Sequence, residues 1–169
     1  MTETENLINK LPFPLSLIAY EYLNEKEPYI KLHRLIDGSE IIIRFLTIII
    51  LSDLKRNVYF SQKIKSVLAE NLEHPTFGKW YIIIEASYPP LKGKCFIKEL
   101  PLCLEKVLLP LLGNKGGIIN LRNEVFHSGR LSKIKSVELL NTYGLVFEKL
   151  LTEIAFFENY DLVSFSQKL

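Results

Sequence analysis

The sequence predicts an all-α protein, an up-and-down helical bundle with a long C-terminal amphipathic helix. Three observations carry that expectation. Apolar residues recur at three- and four-residue spacing, proline and glycine gather in a few short breaks, and the composition of 48% hydrophobic and 24% charged residues is that of a globular chain. At 169 residues the chain can bury roughly 70% of the surface its unfolded form exposes, so a core can form without a disulfide or a structural metal.

Pro12 and Pro14 punctuate the start, and a first helix is expected over residues 15–26. Pro28 suits a first helical position, and Ile30, Leu35, Ile36, Ile43, Phe45 and Leu46 extend an apolar pattern that predicts one long helix to about residue 55. Gly38 is a weak point within it and not a break. Local propensity would make a strand of residues 41–51. That run is too long for a typical strand, and no turn signals bound it closely. It is also too short for a membrane span, which needs about 20 apolar residues, and Arg44 interrupts it.

Further helices are expected over 62–71, 77–86 and 98–112, with a loop at 87–94 marked by Pro89, Pro90 and Gly93. Residues 81–84 would also suit a strand. After the glycine-rich stretch 113–117, a short helix should begin near Ile118 and stop at Gly129. Ser132 can cap the next helix, where Ile134, Val137, Leu140, Phe147, Leu150, Leu151 and Ile154 form an amphipathic series. One domain over 1–160 is the simplest division, with 161–169 as a tail. The alternation in residues 161–166 is compatible with the first strand of a following segment in a longer parent chain.

The two cysteines, Cys95 and Cys103, fit neither a disulfide framework nor the C-x-x-C pattern, and read as reduced thiols. Residues 1–10 hold Glu3 and Glu5 and no long apolar run, so no secretory signal is expected and the cytoplasm is the expected compartment. His33 and His74 show no metal-ligand spacing, and His33 reads as a surface or packing residue. No cofactor motif appears. The aromatic group Tyr143, Phe147, Phe156, Phe157 and Tyr160 is assigned to packing. The 113–117 stretch precedes a helix and could cradle phosphate, but no P-loop pattern accompanies it, and a plain loop is the stronger reading.

Chemistry concentrates in the short helix. On a wheel of about 100° per residue with Arg122 at zero, Asn123 falls near 100° and His127 near 140°, while Ile118, Ile119, Leu121, Val125 and Phe126 surround Arg122. A guanidinium amid apolar residues needs an anionic partner or the rim of a cleft. Two explanations stand, a buried ion pair within the bundle or a phosphate site lined by Arg122 and His127. The total charge of +2 does not announce a polyanion binder. Its distribution says more. Between residues 115 and 135, Lys115, Arg122, Arg130, Lys133 and Lys135 face Glu124 alone, a net of +4 that leaves −2 elsewhere. Lys115, Arg130, Lys133 and Lys135 are therefore candidate RNA-binding residues.

The segment Arg122-Asn123-x-x-x-His127 resembles the R-x4-6-H signature of HEPN (higher eukaryotes and prokaryotes nucleotide-binding) domains, in which a polar residue commonly follows the arginine. The short motif helix, the glycine after it and the long helix that follows are similar to the C-terminal half of HEPN bundles. Residues 1–110 match only in being helical. The resemblance implies a metal-independent endoribonuclease of toxin or phage-defence type. In it, His127 serves acid/base catalysis or orients a 2′-hydroxyl, Arg122 stabilises the phosphorane and Asn123 positions the phosphate, leaving a 2′,3′-cyclic phosphate. It also implies a homodimer across the motif helix, and admits an antitoxin or regulatory partner domain. One departure is plain. HEPN toxins silenced by nucleotide addition carry a tyrosine two residues after the histidine, where this chain has Gly129 after Ser128.

Other readings remain beside this one. Arg122 and Asn123 would also serve a polar network that fixes helix packing, and His127 would suit a helix C-terminus. A non-catalytic helical interaction module of a larger protein, or a nucleotide- or RNA-binding domain that does not cut, are the competing functions.

Overall fold

The computed structural model describes residues 6, 8–57, 60–113, 116–127 and 131–160, which are mostly helical with no strand among them. The chain runs through α1 (Phe13–Asn24), α2 (Pro28–Asn57), α3 (Gln62–Asn71), α4 (Phe77–Ser87), α5 (Leu100–Cys103), a π-helical turn (Leu104–Leu108), α6 (Leu109–Gly113), α7 (Ile118–His127) and α8 (Lys133–Glu153). Short 3-10 turns occupy Pro89–Leu91 and Ala155–Asn159. No helix among the described residues is long and apolar enough to cross a membrane. The expected strand at 161–166, the tail 161–169 and the stop at Gly129 lie outside the described residues.

α2 is the central helix, packing against α1, α4, α8 and the motif-bearing α7. Leu32, Leu35, Ile36, Ile42, Ile43, Leu46, Ile50 and Leu54 are buried along it at helical spacing. Ser39 and Thr47 lie on the same buried face, and each hydroxyl donates to the carbonyl one turn back, Leu35 O at 2.9 Å and Ile43 O at 2.6 Å. Burial of these polar residues therefore leaves no unmade hydrogen bond.

The turn between α1 and α2 is built by two carboxylates. Glu25 accepts from the N–H groups of Lys26 and Glu27, and Glu27 accepts from Ile30 N–H at 2.8 Å in the first turn of α2. These contacts satisfy donors that a helix start leaves open, and α1 accordingly ends at Asn24, short of the expected residue 26. Gly38 does not break α2. A Cβ there would lie 2.7 Å from Phe147 Cζ, so the missing side chain is what lets the Phe147 ring of α8 sit on α2.

The 81–84 segment is helical. Phe77, Trp80, Ile83, Ile84 and Ser87 are buried while Ile82 is exposed, a period no strand would give. The helix expected over 98–112 runs without a break from Leu100 to Gly113, as α5, a π turn and α6. Pro101 opens α5, and Pro110 has no N–H to give to the carbonyl four residues back, so regular α pairing cannot run through this segment.

α8 begins as expected, with Ser132 Oγ accepting from Lys135 N–H at 3.2 Å. Its buried stripe differs from the expected one at the N-terminal end. Ser136, Leu139, Gly144, Phe147, Leu150 and Leu151 are buried, whereas Ile134 is 75% and Val137 40% exposed. The Ser136 hydroxyl, bonded to Ser132 O at 3.0 Å, takes the inward position that the apolar series had assigned to its neighbours.

Candidate functional site

α7 packs against α6 and α2, and its buried edge is Ile118, Leu121 and Val125. That stripe is narrower than the apolar arc read from the sequence. Arg122 is half-buried at its margin, Phe126 is 54% exposed, and Asn123 and His127 are exposed. Arg122 therefore stands where the core ends and solvent begins.

Two contacts hold its guanidinium. An N–H of Arg122 donates to Asn123 Oδ1 at 3.3 Å, and the guanidinium carbon lies 4.8 Å from the centroid of the Phe126 ring. No carboxylate pairs with Arg122 within 4.0 Å among the described residues, so the buried ion pair offered by the sequence is not formed. The acidic neighbour is Glu40 on α2. Burial pushes its carboxyl above the usual range, and the positive field of Arg122 opposes that shift.

Arg122 and His127 are carried by one short helix, and no hydrogen bond joins them among the described residues. His127 is the last residue of α7. Lys133 and Lys135 are exposed in the first turn of α8, and Lys135 pairs with Glu138 at 3.4 Å, which reduces its availability to an outside anion. Lys115 and Arg130 lie outside the described residues, as do Asn114 of the glycine-rich stretch and Ser128.

Residues of α2 that the sequence reading left out also meet this helix. The His33 ring lies 5.9 Å from the Phe126 ring and 4.5 Å from that of Tyr29, both edge to face. Tyr29, His33, Phe126 and Arg122 thus form a continuous chain of ring and cation contacts. His33 Nε2 is buried without a hydrogen-bond partner among the described residues. His33 is indeed a packing residue, but what it packs against is the helix bearing the motif. The spacing of His33, Asp37 and Glu40 puts them along one side of α2, yet nothing in the sequence tells which turn of α2 meets α7. Burial and then the Glu124 carboxylate push the Tyr143 phenol up, which sets Tyr143 of α8 near α7.

No protein-family model, curated protein or solved structure matches this chain.

The geometry supplies a fixed cation at a solvent boundary, an amide carbonyl that orients it, and an imidazole in solvent on the same helix. A guanidinium of this kind can bind a phosphate, and an imidazole can exchange protons; no hydrogen bond joins the two side chains among the described residues. Among the described residues no group of three His, Cys, Asp or Glu side chains is arranged as a metal site.

Proposed function

We propose that the protein is a metal-independent endoribonuclease of HEPN type, acting as a homodimer across α7. The observation that carries this reading is the half-buried Arg122 guanidinium, without an ion pair among the described residues and held by Asn123 and Phe126 on the helix that ends in exposed His127. A guanidinium at the edge of the core, near the Glu40 carboxyl but in no ion pair among the described residues, is suited to an anion from outside.

In the proposed reaction, the 2′-hydroxyl of a nucleotide loses its proton and its oxygen attacks the adjacent phosphorus. The bond to the 5′-oxygen of the next nucleotide breaks, and that oxygen is protonated. One fragment carries a 2′,3′-cyclic phosphate and the other a free 5′-hydroxyl. His127 moves a proton, Arg122 stabilises the charge on the phosphorane, and Asn123 holds the Arg122 fork towards the phosphate. A second copy of α7 would bring another Arg122 and His127 into the same cleft, and exposed Phe126 beside Arg122 provides apolar surface for that contact.

Incubation of the purified protein with mixed RNA in EDTA tests the proposal. Cyclic-phosphate termini that disappear in Arg122→Ala and His127→Ala, with helical content unchanged, are expected. Wild-type protein that leaves RNA intact, or variants that cleave like wild type, would remove the proposal. The exposed apolar side chains Ile134, Val137 and Phe126 favour one second reading, a non-catalytic helical interaction module. In that case the protein self-associates or binds a partner and both variants do so unchanged.

A further inference from the structure

Away from the motif residues, the turn around Gly93 and the segment from Lys98 to Glu105 enclose an open groove of about 630 Å³. That volume falls within the roughly 300–1,000 Å³ of small-molecule sites. Lys92, Lys94 and Lys98 line it together with Pro101, Leu102 and Glu105. Its wall is fixed from behind. Asp53 of α2, 7% exposed, accepts from Phe96 N–H at 2.6 Å and from the Cys95 thiol. This anchors the chain that carries the lysines. Gly93, at φ +75°, makes the sharp turn that separates Lys92 from Lys94.

The charges on the groove do not cancel. Lys92 is neutralised by Glu105 at 2.7 Å. Lys94 and Lys98 form no ion pair within 4.0 Å among the described residues; the Glu99 carboxyl is held below its usual range first by the Tyr160 hydroxyl at 2.7 Å and in part by the charge of neighbouring Lys98. Lys94 and Lys98, two ammonium groups without an ion pair among the described residues, therefore share the lining with the apolar side chains of Pro101 and Leu102.

We propose that this groove is a binding site for a phosphomonoester of an apolar alcohol, with the phosphate between Lys94 and Lys98 and the apolar body against Leu102 and Pro101. The lining sets Lys92, Lys94 and Lys98 against Glu105 alone, and a phosphomonoester carries close to two negative charges at pH 7. A carboxylate would balance one. The site is independent of α7 and of any ribonuclease activity.

Thermal unfolding of the full chain in hexyl phosphate tests it, since a ligand that binds only the folded state raises the Tm. Hexyl phosphate is expected to raise the Tm, inorganic phosphate to raise it less, and hexanol not at all. The affinity should fall about tenfold or more in Lys94→Gln/Lys98→Gln and in Leu102→Glu. Lys106→Gln, at an exposed lysine outside the lining, should bind like wild type. Co-sedimentation with phosphatidylcholine vesicles containing phosphatidic acid separates a lipid headgroup, which pellets the protein, from a free soluble ester, which does not. No Tm rise with hexyl phosphate, an equal rise with inorganic phosphate, or an undiminished rise in the double variant would overturn the assignment.

Discussion

The Arg122 guanidinium lies 4.8 Å from the centre of the Phe126 ring, one helical turn further along α7. The ring shields one face of the cation and leaves its edge to Asn123 and to solvent. A planar, delocalised cation suits this stacked position better than an ammonium does. Arg122→Lys should therefore keep the charge but lose the fork and the stack. Under the proposed ribonuclease reading, RNA cleavage measured as initial rate should drop by about 100-fold, with a Tm change of only a few degrees. Near-wild-type cleavage by the lysine variant would show that charge alone is sufficient.

His33 touches Phe126 while its Nε2 has no partner among the described residues. A buried polar atom left unbonded costs about 1–3 kcal/mol. His33→Phe keeps a ring in place and removes that atom, so denaturant unfolding should find it at least as stable as wild type. His33→Ala removes the ring, and a loss of about 1–3 kcal/mol is expected. If His33→Phe were the less stable of the two, the Nε2 atom would have a partner after all.

Gly38→Ala would raise helix propensity by about 1 kcal/mol at an exposed site. Here the new methyl would meet Phe147 Cζ at 2.7 Å in a fully buried contact. Overpacking of this kind costs about 1–3 kcal/mol, so the variant should unfold at lower denaturant. Adding Phe147→Leu should recover part of the loss, because the smaller side chain leaves room. A stabilised Gly38→Ala protein would mean the ring can move aside freely.

Burial pushes the thiols of Cys95 and Cys103 up to about 12 from 9.0, and the Tyr22 phenol up to about 12 from 10.0. Each group keeps its proton longer folded than unfolded. Their contribution is therefore whole below pH 9 and is lost as pH rises from 9 towards 12. Stability measured by urea unfolding should decline across that window. Native Cys95 and Cys103, both buried, should react slowly with thiol reagents at pH 8 and rapidly once unfolded. Prompt labelling of the folded protein would contradict the burial.

Much of the helical layout was legible in the sequence because it follows from local chemistry. Ser132 before α8, Pro28 at the head of α2 and the limits of α3 at Gln62 and Asn71 depend on caps and ring geometry that act within one turn. The helix expected over 98–112 is present as a continuous helical run from Leu100 to Gly113, but its π turn was not legible, because apolar spacing hides the effect of Pro101 and Pro110 on the backbone ladder. Ile134 and Val137 were misread for another reason. Periodicity marks an apolar series but does not say whether a neighbouring helix extends far enough to cover its end.

Arg122, Asn123 and His127 were found from their order along one helix. The contacts that Tyr29, His33 and Glu40 bring to that helix were not, because they come from α2, more than 80 positions earlier. The sequence by itself determined that the protein is helical, where most helices start, and which short helix gathers the cationic and imidazole groups, since propensity, capping and residue order are local. Only the tertiary structure decided that Arg122 forms no ion pair among the described residues, that His33 and Phe126 touch, and that Lys94 and Lys98 share a groove, because side chains distant along the chain meet only when packed helices fix their distance and facing.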